Sequence, residues 1–489
     1  MKRQRIKTDA RIERGERAQR RNMSSETCLS PVRQNAQTNA DDDKDIISSL
    51  PDSLLTHILS FLPIHDSVST SILSSRWRPL WTLVPVLHLK QLELDERMLR
   101  LGNENFKFVD IVSRIWTLRN AISNPIPPLH KLCIHWYCHC LPFYVETWLR
   151  ATNMRDLREL DLCLGHQPLE LPRSLYFSTT LVVLKLGNNI RLNPPSACAY
   201  PCLRILLLKW VTFANRDSLS TILNACPVLL DLTLHVVGID FDVVVLVDTL
   251  KRLHLRWNIH TSSKYIFQIN TPALEYFHFS GYLNGDDVLE NLPNVVESVV
   301  QIKNCDRIND YAKRAWDFVG KLCNVISMEL STVTAQILCH GSNHENGPTF
   351  RNLYSLKFCG DLWHEWYAWH AVRLLLCRAP ELQTLVFELL FLVGPNLDNP
   401  NPCLEEPLDV PECMSSHLTT CLYKGFKGVE NEMELVRQIL KAARVLKTMK
   451  ITSHGGLDPR KKPSVRKKLR KFQRSSRNCQ IAFDEGHFT

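Results

Sequence analysis

Residues 157–162 read Leu-Arg-Glu-Leu-Asp-Leu, and this six-residue phrase decides the fold. Strand side chains alternate, so the second and third leucines of an L-x-x-L-x-L motif share one face while the third and fifth positions share the other. The motif recurs at Leu129/Leu132/Ile134, Leu181/Leu184/Leu186, Leu203/Leu206/Leu208, Leu229/Leu232/Leu234, Leu250/Leu253/Leu255 and Leu274/Phe277/Phe279. Successive copies start 21 to 28 residues apart, the period of a leucine-rich repeat. Looser copies follow at Val325/Met328/Leu330, Leu353/Leu356/Phe358 and Leu382/Leu385/Phe387. One strand per repeat cannot bury its apolar side alone, but a stack of repeats can.

The connections fit this reading. Arg216 to Cys226, RDSLSTILNAC, carries apolar residues three and four apart and predicts a helical return. Asn189 and Asn258 fall at the repeat's asparagine position, three residues after the last motif leucine. Residues 391–411 are rich in Pro and Asn and predict a break. A further unit begins near 410: a strand-like CLYKGF, a helix from about Glu430 to Val445, a copy at Leu446/Met449/Ile451, a basic helix and a last strand, Cys479 to Phe483.

Upstream, residues 50–62 read LPDSLLTHILSFL. Leu50, Leu54, Leu55, Ile58, Leu59 and Leu62 predict one apolar helical stripe. Pro51 suits a first helical turn and Asp52 complements its dipole. Pro63 stops the helix, and Asp66 is expected to cap a second one with Val68, Ile72, Leu73 and Trp77 on one side. Leu80 and Trp81 extend that apolar group beside Arg76 and Arg78. Helices this short bury their own faces poorly and call for a partner surface.

With 489 residues, the chain is long enough for two to four folded units. No apolar run approaches the roughly 18 residues that a membrane-spanning helix needs, and the basic N-terminus lacks the apolar core of a secretory leader. The 17 cysteines, an odd number scattered through apolar segments, predict buried free thiols in a reducing compartment. Basicity sits at the ends: nine Lys/Arg against three Asp/Glu in residues 1–22, and ten against none in residues 460–477. The net +9 is therefore no sign of a basic nucleic-acid-binding core. Residues 1–44 are polar and aperiodic and predict disorder.

Three segments resemble one plant family, the F-box proteins with leucine-rich repeats and a C-terminal FBD domain. Residues 50–81, LPDSLLTHILSFLPIHDSVSTSILSSRWRPLW, resemble the F-box, departing from it at Ser67, where alanine is usual, and at Pro79 in the last helix. Residues 410–451 resemble the FBD segment, and residues 474–484, RSSRNCQIAFD, resemble its closing strand. The expected fold is α/β: a small all-α F-box over residues 45–90, a repeat solenoid over 120–390, a linker over 391–409 and a small α/β FBD cap over 410–489.

The resemblance implies a non-enzymatic substrate-recognition subunit of a cullin–RING ubiquitin ligase, without cofactor or metal, in nucleus and/or cytoplasm. Its F-box would dock on an SKP-type adaptor, and through it on cullin, using Leu50, Pro51, Leu54, Leu55, Ile58, Leu59, Leu62, Pro63, Val68, Leu73, Trp77, Leu80 and Trp81. Its repeats would present a protein substrate. The outward third and fifth motif positions are mostly polar, but Val183, Ile205 and Leu207 form an apolar patch, with Arg252, His254 and Tyr276 further along; these six are the candidate substrate contacts. The alternative is a nucleic-acid-binding or scaffold protein acting outside a ligase. Its support is the basic stretch at 460–477 and Gly425-Phe426-Lys427-Gly428, a turn of the G-x-x-G type before a helix. His364, Glu365 and His370 miss zinc-protease spacing, because the second His comes two positions late. Cys133, His135, Cys138, His139 and Cys140 lack the paired ligand sets of a zinc site and read as strand packing. Nucleic acid and membrane are not expected partners.

Overall fold

The computed structural model describes residues 46–94, 107–122, 128–138, 141–152, 155–165, 167–258, 265–284, 287–290, 292–305, 310–340, 347–360, 367–389, 410–455, 457–458 and 460–484. The segments 1–44 and 391–409 lie outside the described residues, as do His139, Cys140, His364 and Glu365; of His370 only the backbone is described. Residues 46–51 belong to a short N-terminal unit, a single helical turn Ile46–Ser49 closed by the Leu50 amide donating to the Ile47 carbonyl at 3.2 Å.

From Asp52 the chain is one compact unit. Its frame is a fifteen-stranded parallel sheet in which the strands follow chain order from Val86–Lys90 to Gln480–Asp484. Each motif leucine pairs in register with its counterpart: Leu160 with Leu184, Leu184 with Leu206, Leu206 with Leu232, Leu232 with Leu253. All are buried. The repeat thus stacks one leucine over the next, and the rows make a continuous core. Across that core lie the helices Ser218–Asn224, Tyr311–Gly320, Thr332–His340 and Tyr367–Leu376 and two short three-stranded sheets, one through Ile190–Leu192 and one through Phe267–Asn270. Asn189 reaches back to the Leu164 carbonyl at 3.5 Å, and Asn258 accepts from the Lys303 ammonium at 2.8 Å.

The sheet runs on through the boundaries read from sequence on either side of the repeats. Val84-Pro85-Val86-Leu87-His88-Leu89, at the end of the helical segment, already supplies the first strand. Strands Thr420–Phe426, Thr448–Ser453 and Gln480–Asp484 supply the last three, the first of them paired along Thr384–Leu389. The aromatic rings of Phe358, Phe387 and Tyr423 continue across that junction at centroid spacings of 5.6 and 5.7 Å. The helix expected to Val445 ends at Ala442. No helix among the described residues is long and apolar enough to cross a membrane.

Cys226, Cys413 and Cys421 are buried in this core, and burial pushes all three thiols upward, Cys226 and Cys413 to about 12. Cys138 and Cys202 are exposed. Iodoacetamide at pH 8 should label Cys138 and Cys202 within minutes and reach the buried three only with denaturant, since the thiolate is the nucleophile; peptide mapping reads the order.

Candidate functional site

The helical module after Pro51 comprises helices Asp52–Leu59 and Ile64–Ser69, a 3-10 turn Thr70–Ile72 and a second 3-10 turn Leu80–Leu83. Helix ends are fixed locally. Pro63 takes the cap position of the second helix, so Asp66 lies inside the first turn instead of capping it, and it pairs with His65 Nε2 at 3.2 Å. Ser67, the departure from the F-box pattern, is buried with its hydroxyl donating to the Leu59 carbonyl at 3.0 Å. Pro79 sits at the cap of the last turn, where its missing N–H costs nothing. Arg76 and Asp52 close the module with an ion pair of 2.7 Å.

The apolar stripe splits in two. Leu55, Leu59, Trp77, Leu80 and Trp81 are buried and form the module's own core. Of the residues expected on or just beneath a docking face, these five lie beneath the surface of the module. Leu54 and Ile58, 48% and 46% exposed, stand on the outer side of the same helix, with Leu62, Val68 and Leu73 also exposed. Phe61 and Ile72, absent from the sequence-derived set, are the most exposed of all at 75% and 88%. Solvated monomers rarely leave so many large apolar side chains together in one small module, and such surfaces mark partners. Leu50 and Pro51 belong to the N-terminal unit, and Pro63 is the cap residue already described.

The module is fastened to the sheet. Helix Phe108–Ile122 carries Arg119, buried, whose guanidinium donates to the Val84 carbonyl at 2.6 Å; burial lowers its pKa to about 10. Val84 itself and Trp81 are buried beside the first strand.

On the sheet, the faces alternate as the strands do. The positions between the leucines, including Val183, Ile205, Leu207, His254 and Tyr276, are half-buried on the open face, and Arg252 is exposed. Register puts Val183 beside Ile205, and Lys185 beside Leu207. Tyr276, His254 and His278 form a run of rings with centroids 5.0 and 5.4 Å apart. Arg252 is held by Asp231 at 3.1 Å.

Two features offer possible chemistry. Cys133, His135 and Asp161 bring one donor atom each within 4.8 Å of one another, the three side chains best placed among the described residues to hold a metal. His135 Nε2 already meets Asp161 at 3.0 Å, and Lys131 and Lys185 add positive charge. Burial tends to raise the Asp161 carboxyl, but the His135 hydrogen bond and these charges hold it below its ordinary value. Burial drives the Cys133 thiol up to about 12. In the G-x-x-G turn, both glycines adopt positive φ, 79° and 76°. The backbone amides that would face a phosphate instead donate to one carboxylate: those of Lys427, Gly428 and Val429 reach Glu432 Oε2 at 2.9, 2.6 and 3.2 Å. Tyr423 donates to Oε1 at 3.3 Å.

An F-box domain model matches residues 47–89, the LRR model of an FBD-associated F-box protein, At5g56370, matches 145–293, and an FBD model matches 405–451. The F-box/FBD/LRR-repeat protein At5g56420 of Arabidopsis thaliana is 31% identical over 460 residues, 90% of this chain and 99% of the relative. The chain belongs to the F-box/FBD/LRR-repeat family. A second Arabidopsis relative, the FBD-associated F-box protein At5g22730, is 30% identical over 429 residues, 83% of this chain and 87% of its own. Proteins of the F-box/LRR class are in general non-catalytic adaptors, and an F-box generally binds an SKP-type adaptor. In this F-box/FBD/LRR chain the FBD match begins before the described strand Thr420–Phe426 and ends inside Thr448–Ser453, so the FBD segment contributes strands to the repeat sheet itself.

Proposed function

We propose that this chain is the substrate-recognition subunit of an SCF-type cullin–RING ubiquitin ligase, and that it is not itself an enzyme. The observation that carries the reading is the exposed apolar surface of the F-box, led by Leu54, Ile58, Phe61 and Ile72. It would seat on an SKP-type adaptor and through it on cullin. Co-purification with such an adaptor is the test, and its outcome for surface variants is argued in the Discussion. The nucleic-acid alternative loses its structural support at the G-x-x-G turn, where Glu432 occupies the amides.

The substrate would be a protein lying on the open face of the sheet, over Val183, Ile205, Leu207, Arg252, His254 and Tyr276. Their mixture of apolar and cationic or aromatic groups suits a binding surface. Ile205→Asp with Leu207→Asp should leave folding and adaptor capture intact and remove the partners found by proximity labelling under proteasome inhibition. Loss of cooperative unfolding in that variant would instead make the two side chains part of the core.

Residence would be nuclear and cytoplasmic, with import driven by the basic helix Lys462–Arg470, whose Val465 and Leu469 are buried while Arg466, Lys467, Lys468 and Arg470 stand exposed. Changing Arg466, Lys467, Lys468, Arg470 and Lys471 to Gln should move a fluorescent fusion toward the cytoplasm. An unchanged nuclear fraction would leave the helix a solvated charged face.

A further inference from the structure

The open face of the sheet is uneven in charge. On the five strands from Val183–Gly187 to Tyr276–Gly281 its basic side chains are Lys185, Lys209, Arg252 and Arg256, and its acid is Asp231. Arg252 takes that acid at 3.1 Å. Lys209 and Arg256 form no ion pair with any carboxylate among the described residues, while Lys185 sits in register beside Asp161. Later strands balance themselves: Lys357 is clamped between Glu329 and Glu388 at 2.9 Å each, and Lys424 lies 3.8 Å from Glu388.

The uncompensated charge lies beside the apolar patch. Lys209 is on the same strand as Ile205 and Leu207. Register then aligns Lys209, His235 and Arg256 on three consecutive strands. Neighbouring strands are about 4.8 Å apart, so the two cations are rooted about 10 Å from each other. His235 between them is half-buried and, through burial and then the charges of Arg256 and Lys209, held down to about 4. It is therefore neutral near pH 7, a hydrogen-bonding group inside a positive field. Trp210 borders the same corner, 45% exposed, edge-on to His235 at 5.3 Å. Its φ of 53° matches the 50° of Asn188, the equivalent residue after the preceding strand, so the turn that ends the strand sets it.

We infer that this stretch of the open face receives an acidic, Asp/Glu-rich segment of a protein, seating an apolar side chain on Val183, Ile205 and Leu207 and its carboxylates against Lys209 and Arg256. The inference rests on the open face being the substrate surface. Cations rooted about 10 Å apart with a neutral imidazole between them suit separate carboxylates along an extended peptide better than one phosphate, which wants converging donors. Extended chain advances about 3.3 Å per residue, so carboxylates two or three residues apart match that span.

The test uses the full chain co-expressed with its adaptor and fluorescein-labelled nonapeptide pools with a fixed central leucine. One pool is flanked by glutamate, one by glutamine and one by phosphoserine, and a labelled oligouridylate serves as the nucleic-acid probe. The glutamate pool should bind in fluorescence anisotropy, weaken with salt, and lose at least tenfold in affinity with Lys209→Glu/Arg256→Glu. The variant Lys209→Arg/Arg256→Lys should retain it. Equal binding of the glutamine pool, binding of the phosphoserine pool alone, oligouridylate binding that depends on the same two residues, or an unchanged affinity after charge reversal would each overturn the inference. Proximity labelling separates the two levels. If Ile205→Asp/Leu207→Asp removes partners and the charge reversal does not, the substrate surface stands and its acidic preference falls. If neither removes them, both fall.

Discussion

A chain carrying Leu54→Asp and Ile58→Asp is expected to fold normally and to lose capture of an SKP-type adaptor. Both side chains are half exposed on one side of helix Asp52–Leu59, while Leu55 and Leu59 on the other side are fully buried. Substitution at the exposed pair therefore leaves the module's core untouched. Burial of the remaining exposed half of each side chain in a complex contributes about 1–1.5 kcal/mol. A carboxylate in its place must be desolvated as well, at a cost of a few kcal/mol. Together these weaken capture by about 100-fold or more, which a pull-down reads as loss. Circular dichroism and a cooperative melt must match the parent chain for the result to count. Leu59→Asp serves as the contrast: it places a charge at a fully buried position near Ser67, so it is expected to unfold the module and to say nothing about the partner. A folded Leu54→Asp/Ile58→Asp chain that still captures adaptor at parent levels would remove the ligase assignment.

The second large effect is at Glu432. Its carboxylate is buried at the start of helix Glu430–Ala442 and accepts from three successive amides and the Tyr423 hydroxyl. Glu432→Ala leaves those donors without an acceptor and should lower stability by about 3–5 kcal/mol in urea denaturation. The same group gives a pH dependence of known sign. Burial pushes the carboxyl from its ordinary 4.5 up to about 7, outweighing the amides that pull it down. Between those pH values the folded chain holds a proton that the unfolded chain has released. The contribution is thus fully present below about 4.5 and lost as pH rises through about 7. Measured against Glu432→Gln, which does not titrate, the parent chain should become relatively less stable across that window. A relative gain in stability with rising pH would mean that the three amides dominate and the carboxylate is the favoured form.

Much of this molecule can be read from its leucines, because a strand that buries alternate residues repeats its demand every turn of the solenoid. The reading failed where that demand is met by other residues. Val84/Leu87/Leu89 has the motif's spacing but opens with valine and sits at the end of the helical segment, so its strand went unnoticed. Strand Glu297–Ile302 carries a buried Ser298 where a leucine is usual, which breaks the pattern without breaking the pairing. In the F-box, hydrophobicity alone could not separate Leu54 from Leu55, since a surface reserved for a partner and a surface reserved for the core look alike in composition. Phe61 falls outside the periodic stripe, and Ile72, placed on the apolar side of the second helix, stands exposed rather than packed. The fates of these side chains depend on where Trp77 and Trp81 turn inward, which no local spacing encodes. The charge imbalance along the open face was equally hidden, because it exists only once register places Lys209 and Arg256 on one row.

Strand order following chain order has a consequence for how the protein is made. Every strand of this sheet after the first hydrogen-bonds to the preceding strand of the same sheet, so none waits for a distant partner. A nascent chain can add repeats as they leave the ribosome, each docking on a finished edge, with loop closures that span only a few tens of residues. The module carrying Leu54 and Ile58 emerges ahead of the sheet, and its Trp81 shares a core with Leu87 and Leu89 of the first strand. A polypeptide cut short before Gln480–Asp484 leaves the edge of strand Thr448–Ser453 unpaired, with Met449 and Ile451 less covered. Nonsense truncations late in the reading frame should therefore behave as sticky, chaperone-bound fragments whose front end is already native.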